Sequence, residues 1–224
     1  MTSFDSAFKS IRDRVDAAAR QTGSTVRLLA VSKTKPADAV RSLAALGQHA
    51  FGENYVQETL SKQSELSDLS LQWHLIGPLQ SNKCRDVAQH FDWLQSLDRI
   101  KLVTLLDRAR PQEKPPLDVL IQVNIDDEAS KSGCAPGEIP ALADAIAAAP
   151  RLRLRGLMAI PEPTPDMDRR RVAFSQMREQ FERLRVRYRD IDTLSMGMSD
   201  DFELAIAQGA TLVRVGTALF GARR

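Results

Sequence analysis

The chain has 224 residues, 43% of them apolar and 27% charged, the proportions of a soluble globular protein rather than of a disordered or fibrous one. Lys plus Arg number 31 against 29 Asp plus Glu, and the resulting charge of +2 is too small to point by itself to a nucleic-acid or membrane partner. A chain of this length is expected to form one large domain over residues 1–224, with a substantial core.

The opening segment, MTSFDSAFKSIRDRVDAAAR, interrupts each apolar run with a charge, so it has no signal-peptide core. It predicts a helix over Phe4–Arg20, and no later segment is apolar enough to cross a bilayer, so a cytoplasmic location is expected. Eight short apolar or β-branched runs follow: Arg27–Ser32, His49–Gly52, Gln72–Ile76, Trp93–Leu97, Leu117–Ile125, Leu152–Ile160, Thr193–Met196 and Thr211–Gly216. Helical patterns separate them, which predicts an α/β fold: a single (β/α)8 TIM-type barrel with an extra N-terminal helix.

Helix starts are marked by Pro36 for a first turn, Ser81-Asn82 for a cap and Asp200-Asp201 for a dipole. Pro161-Glu162-Pro163-Thr164-Pro165 can continue neither strand nor helix and predicts a loop over the mouth after the sixth strand. The arginines at 169–171 and from Arg178 to Arg189 share one polar helical pattern and read as a solvated face, not a nucleic-acid site. Cys84 and Cys134 have neither metal-ligand spacing nor a disulfide framework, so both read as ordinary thiols and no metal is expected.

In the first strand Leu29, Val31 and Lys33 alternate onto one face, which brings Lys33 to the strand's C-terminal end, where barrel active sites lie. Desolvation there favours the neutral amine that attacks an aldehyde, whereas the plain alternative is a surface lysine entering a loop. Lys35, beside Pro36, is expected to face solvent. Glu53-Asn54-Tyr55 ends the second strand; Asn54 can hydrogen-bond a ring hydroxyl and Tyr55 can cover the site, or the three can form an ordinary turn. His74 reads as a hydrogen-bonded core residue; Lys131 reads as a solvent-facing loop lysine, the alternative being a secondary candidate for receiving an aldehyde.

Loops after strands seven and eight are the usual phosphate site of this architecture. Gly197 permits a tight turn in Ser195–Asp201, Ser199 supplies a hydroxyl, and Gly216-Thr217 adds exposed backbone and a second hydroxyl. Asp200 and Asp201 would repel a phosphate and are expected to turn toward solvent. Arg214 shares its strand face with Leu212 and Gly216; it needs either a carboxylate in the barrel mouth or the ring nitrogen of a pyridine cofactor.

Seven ordered blocks then carry a resemblance across nearly the whole chain: LAVSKTKP from Leu29, FGENY from Phe51, WHLIGPLQSNK from Trp73, VNIDDEASKSG from Val123, RGLMAIP from Arg155, LSMGMSDD from Leu194 and VRVGTALFG from Val213. The chain resembles the pyridoxal phosphate homeostasis proteins, whose barrel is like the N-terminal domain of alanine racemase. The resemblance implies pyridoxal 5'-phosphate as cofactor, carried as a Schiff base on Lys33, with Arg214 facing the pyridine nitrogen and Ser199, Gly216 and Thr217 holding the phosphate. It implies a non-catalytic reservoir in vitamin B6 balance, with apo pyridoxal phosphate enzymes as possible recipients.

A racemase-like enzyme and a cofactor-free Schiff-base aldolase are the competing readings. The seven blocks argue against the aldolase. Racemisation needs acid–base groups on both faces of the substrate carbon, and with eight residues after Gly216 the chain is expected to lack the second domain that supplies one of them. No apolar stripe calls for a partner, so a monomer is expected.

Overall fold

The computed structural model describes residues 3–126, 132–162 and 164–221. Eight parallel strands close into a barrel in sequence order: β1 (Arg27–Val31), β2 (Ala50–Glu53), β3 (Gln72–Leu75), β4 (Trp93–Leu97), β5 (Leu117–Gln122), β6 (Leu152–Met158), β7 (Thr193–Ser195) and β8 (Leu212–Val215). Closure comes from β1 pairing β8, with Arg27 opposite Leu212 and Ala30 opposite Val215. The helices are α1 (Ser3–Thr22), α2 (Ala37–Ala45), α3 (Val56–Glu65), α4 (Cys84–His90), α5 (Ile100–Ala109), α6 (Ile139–Ala147), α7 (Met167–Arg187), α8 (Phe202–Ala207) and α9 (Thr217–Phe220).

Strands covered on both faces have no solvent-facing side, which is why β4 and β5 are buried at every position. On β1 the alternation divides the work. Leu28 and Ala30 join the large core beneath the helices, while Leu29 and Val31 meet Ile76 and Leu212 in a small cluster of their own. Trp93, Leu120 and Met158 form a second small cluster. Gly156, at φ +146° in β6, brings the backbone so near β7 that a Cβ would lie 1.9 Å from the Thr193 carbonyl oxygen.

Each helix presents an apolar stripe to this wall. In α7 it is Ala173, Phe174, Met177, Phe181 and Leu184, and Asp166 caps the start by accepting from the Asp168 and Arg169 N–H groups. The arginine-rich outer face pairs with neighbouring carboxylates, as in Arg169–Glu162, Arg171–Asp168 and Arg185–Glu182. The extra helix α1 packs beside α8 and α9, with Phe4 edge-on to Phe220 and Arg14 stacked over Phe202 while pairing with Glu203.

Four local expectations change. The fifth strand stops at Gln122 instead of Ile125: beyond it Val123 forms an isolated parallel bridge with Cys134, and Asn124 N–H donates to the Cys134 carbonyl instead of to a neighbouring barrel strand. Ser81-Asn82 forms a single tight turn before α4 instead of capping it, and Pro36 sits one position before α2. Lys35 does not simply face solvent: its ammonium donates to the Phe220 and Gly221 carbonyls, where the unsatisfied C-terminal end of α9 attracts a cation.

Candidate functional site

A cavity of about 510 Å³ opens at the C-terminal end of the barrel, a size suited to a small organic cofactor. Its wall includes all six residues singled out from the sequence: Lys33, Asn54, Ser199, Arg214, Gly216 and Thr217. Ile76, Pro78, Ile160 and Met198 add apolar surface, and Gln122 adds an amide braced against the Ser132 carbonyl.

Lys33 is half-buried just beyond β1. The residues on either side of it are tethered. Ser32 Oγ donates to Glu53 Oε1 at 2.6 Å, and the Ser32 carbonyl accepts from Lys62 Nζ at 2.7 Å. Lys62 also donates to Glu53 and Glu58, and Glu58 accepts from the Thr34 N–H at 2.6 Å. Thr34 lies at φ +62°, a left-handed conformation that a β-branched residue adopts only when its surroundings hold it there. The Lys62 clamp therefore fixes the backbone from which Lys33 projects. Burial pushes the Glu53 carboxyl up from its ordinary value, against the pull of Lys62 and Ser32.

Arg214 is buried, and its guanidinium donates to Ser195 Oγ at 2.7 Å and the Ala159 carbonyl at 2.9 Å. Both acceptors are neutral. Of the two alternatives open from the sequence, the carboxylate partner is not what these bonds supply, and the residue still lines the cavity with N–H groups to spare. Burial lowers it to about 10, so it remains a cation at neutral pH.

The phosphate-type loops converge as the alternation requires. Gly197, at φ +89°, packs where a Cβ would meet the Ala205 side chain at 2.5 Å, so the turn carrying Ser199 needs glycine. Gly216 lies against Val31, and Thr217 starts α9, whose first N–H groups have no partner within the helix. Asp201 turns away from the cavity, accepting from the Met198 N–H and pairing with Arg170, whereas exposed Asp200 stays on its rim. Solvent orientation was expected of both; only Asp200 is solvent-exposed, because Arg170 draws Asp201 toward α7.

Tyr55 is 58% exposed and does not line the cavity, so the covering role expected of it is not seen. Asn54 does line it, and its backbone lies so close to Gly77 that a Cβ there would be 2.4 Å from the Asn54 oxygen. His74 is a hydrogen-bonded core residue, as expected, and Lys131 lies outside the described residues. Cys84 and Cys134 are free and buried, and burial pushes Cys134 up to about 12. The Lys62 clamp and Ser195 were not foreseen as parts of this site. The spacing of Glu58 and Lys62 signals an i,i+4 pair, but their reach to Ser32 and Thr34 depends on how α3 packs.

Comparison with known proteins places this geometry among relatives. The family model described as alanine racemase, N-terminal domain, matches residues 7–224. The pyridoxal phosphate homeostasis protein of Pseudomonas aeruginosa is 58% identical over 95% of this chain and 91% of its own length. That of Escherichia coli is 54% identical over 95% and 94%. Among solved structures, PipY of Synechococcus elongatus PCC7942, with PLP bound, superposes with a TM-score of 0.80 at 39% identity, covering 93% of this chain and 99% of that one.

Proposed function

This chain belongs to the pyridoxal phosphate homeostasis proteins, built on the alanine racemase N-terminal domain, and on that premise we propose that it binds pyridoxal 5'-phosphate without catalysing a reaction. Lys33 Nζ holds the aldehyde carbon as an imine, Arg214 donates to the pyridine nitrogen, and Asn54 meets the ring hydroxyl. Ser199 and the backbone and hydroxyl of Gly216-Thr217 hold the phosphate. The convergence of these six residues on one cavity, with a buried cation at its floor, carries the reading.

The residues fit such a group. The mouth joins one amine, one fixed cation and hydroxyl and backbone donors within a volume that accepts a substituted pyridine. When bound, the cofactor supplies an electron-withdrawing ring; a charged Arg214 keeps its nitrogen unprotonated and weakens that property. The Lys62 clamp aims Lys33 at the cavity. Neither Tyr55 nor Tyr188 lines the wall, so no tyrosine stands ready to exchange a proton with an amino acid there. The protein then acts as a monomeric cytoplasmic reservoir that passes cofactor to apo-enzymes.

Borohydride reduction of the loaded protein followed by peptide mapping tests the attachment: the label is expected on Lys33, and a label mainly on Lys35 or Lys131 overturns it. A Thr217→Asp variant is expected to lose affinity for the phosphorylated cofactor far more than for pyridoxal; equal losses overturn the phosphate assignment. Incubation with individual L- and D-amino acids is expected to give cofactor transfer to an apo-enzyme without turnover. Sustained turnover that disappears in Lys33→Ala establishes the racemase-like alternative instead.

A further inference from the structure

Beneath Arg214 a line of polar side chains runs down the barrel interior. Ser195 Oγ lies 2.7 Å from Gln95 Oε1, Gln95 Nε2 lies 2.9 Å from His74 Nδ1, and His74 Nε2 lies 3.0 Å from Gln72 Oε1. Ser195, Gln95 and His74 are fully or almost fully buried, so each must find its partners inside the array. They come from β7, β4 and β3, and Arg214 comes from β8.

The donor inventory fixes the direction of every bond. Arginine can only donate, so Ser195 Oγ accepts from Arg214 and gives its single hydrogen to Gln95 Oε1. The Gln95 amide nitrogen then faces His74 Nδ1, which has to offer a lone pair. The imidazole proton consequently sits on Nε2 and goes to Gln72 Oε1. Reversing the Gln95 amide would place two donors on Ser195 Oγ and leave the serine hydrogen without an acceptor in the array.

We infer that Gln95 and His74 are positioning residues for Arg214, acting through Ser195, with His74 locked as the neutral Nε2–H tautomer at the far end of a one-directional hydrogen-bond array. The ring is held flat against Trp93, with centroids 5.1 Å apart and planes 8° from parallel. Burial lowers His74 to about 3, so it stays neutral throughout the physiological range. The array rigidifies the guanidinium from below and leaves its cavity side to a ligand, a role that rests on the pyridoxal phosphate reading above.

Two measurements on the full-length protein test this. Nitrogen-15 NMR of histidine-labelled, cofactor-free protein, with His74 assigned by its loss in His74→Gln, is expected to show protonated Nε2 and unprotonated Nδ1 from pH 5 to 8. The opposite tautomer, or an imidazolium, overturns the array whatever the protein binds. The second compares affinity for pyridoxal phosphate with affinity for its analogue having carbon in place of the ring nitrogen, in wild type and in Gln95→Leu. The substitution is expected to weaken the nitrogen-containing ligand about tenfold and the analogue little. Wild-type discrimination that survives unchanged in Gln95→Leu refutes the positioning role. Absence of discrimination in wild type refutes the ring contact of Arg214, and leaves the tautomer result standing by itself.

Discussion

Replacing His74 by glutamine should flatten the acid side of the protein's stability profile. In the folded protein the imidazole sits at about 3, displaced from its ordinary 6.5 first by burial and then by the nearby Arg27 cation. Between these values the unfolded chain binds a proton that the folded protein refuses, so stability rises with pH across this window. The contribution is fully present above about 6.5 and is lost progressively as pH falls toward 3. The limiting slope is about 1.4 kcal/mol per pH unit, which makes the loss at pH 5 about 2 kcal/mol. Against a typical domain stability of about 5–15 kcal/mol this is easily measured. Urea unfolding of wild type and His74→Gln at pH 7, 6 and 5 isolates the histidine, because the carboxylates titrate in both proteins. Wild type should lose about 2 kcal/mol more than the variant between pH 7 and 5. Parallel profiles would refute the claim that His74 is buried neutral.

Two further substitutions and a control probe the scaffold. Lys62→Ala leaves the buried Glu53 carboxylate without its cation and should destabilise the protein by about 3–5 kcal/mol in denaturant titrations, while slowing borohydride-trappable attachment at Lys33. Gly156→Ala drives a methyl into the Thr193 carbonyl at φ +146° and should cost about 3 kcal/mol or more, whereas Gly137→Ala, which meets open space, should leave the thermal midpoint nearly unchanged.

Period-two alternation was enough to bring Lys33 and Arg214 to one mouth, because a strand face depends only on local geometry. Strand order followed from the repeat of short apolar run and helix, since a parallel sheet covered on both sides has few other ways to close. The interior array is different in kind. Gln95, His74 and Ser195 meet only when β3, β4, β7 and β8 are in register around a closed circle, and no local pattern encodes that coincidence. The contacts of Lys35 escape the local pattern for a related reason: its acceptors are the Phe220 and Gly221 carbonyls at the end of α9, far away in the sequence. The left-handed Thr34 has no signature either, as threonine is a poor candidate for that conformation until Glu58 captures its N–H.

Closure through β1 and β8 also sets a timetable for synthesis. Arg27 pairs with Leu212, about 185 positions later, and α1 packs mainly on α8 and α9, with a smaller contact to α2. At roughly 5–20 residues per second, a ribosome needs about 10–40 s to deliver the strand that completes the ring. Throughout that interval one edge of β1 and the face of α1 that packs on α8 and α9 emerge without their native neighbours, while β2 to β5 can already pair behind them. The seam of the barrel is therefore where a nascent chain is most exposed to aggregation, and where slowing translation before β8 would matter most.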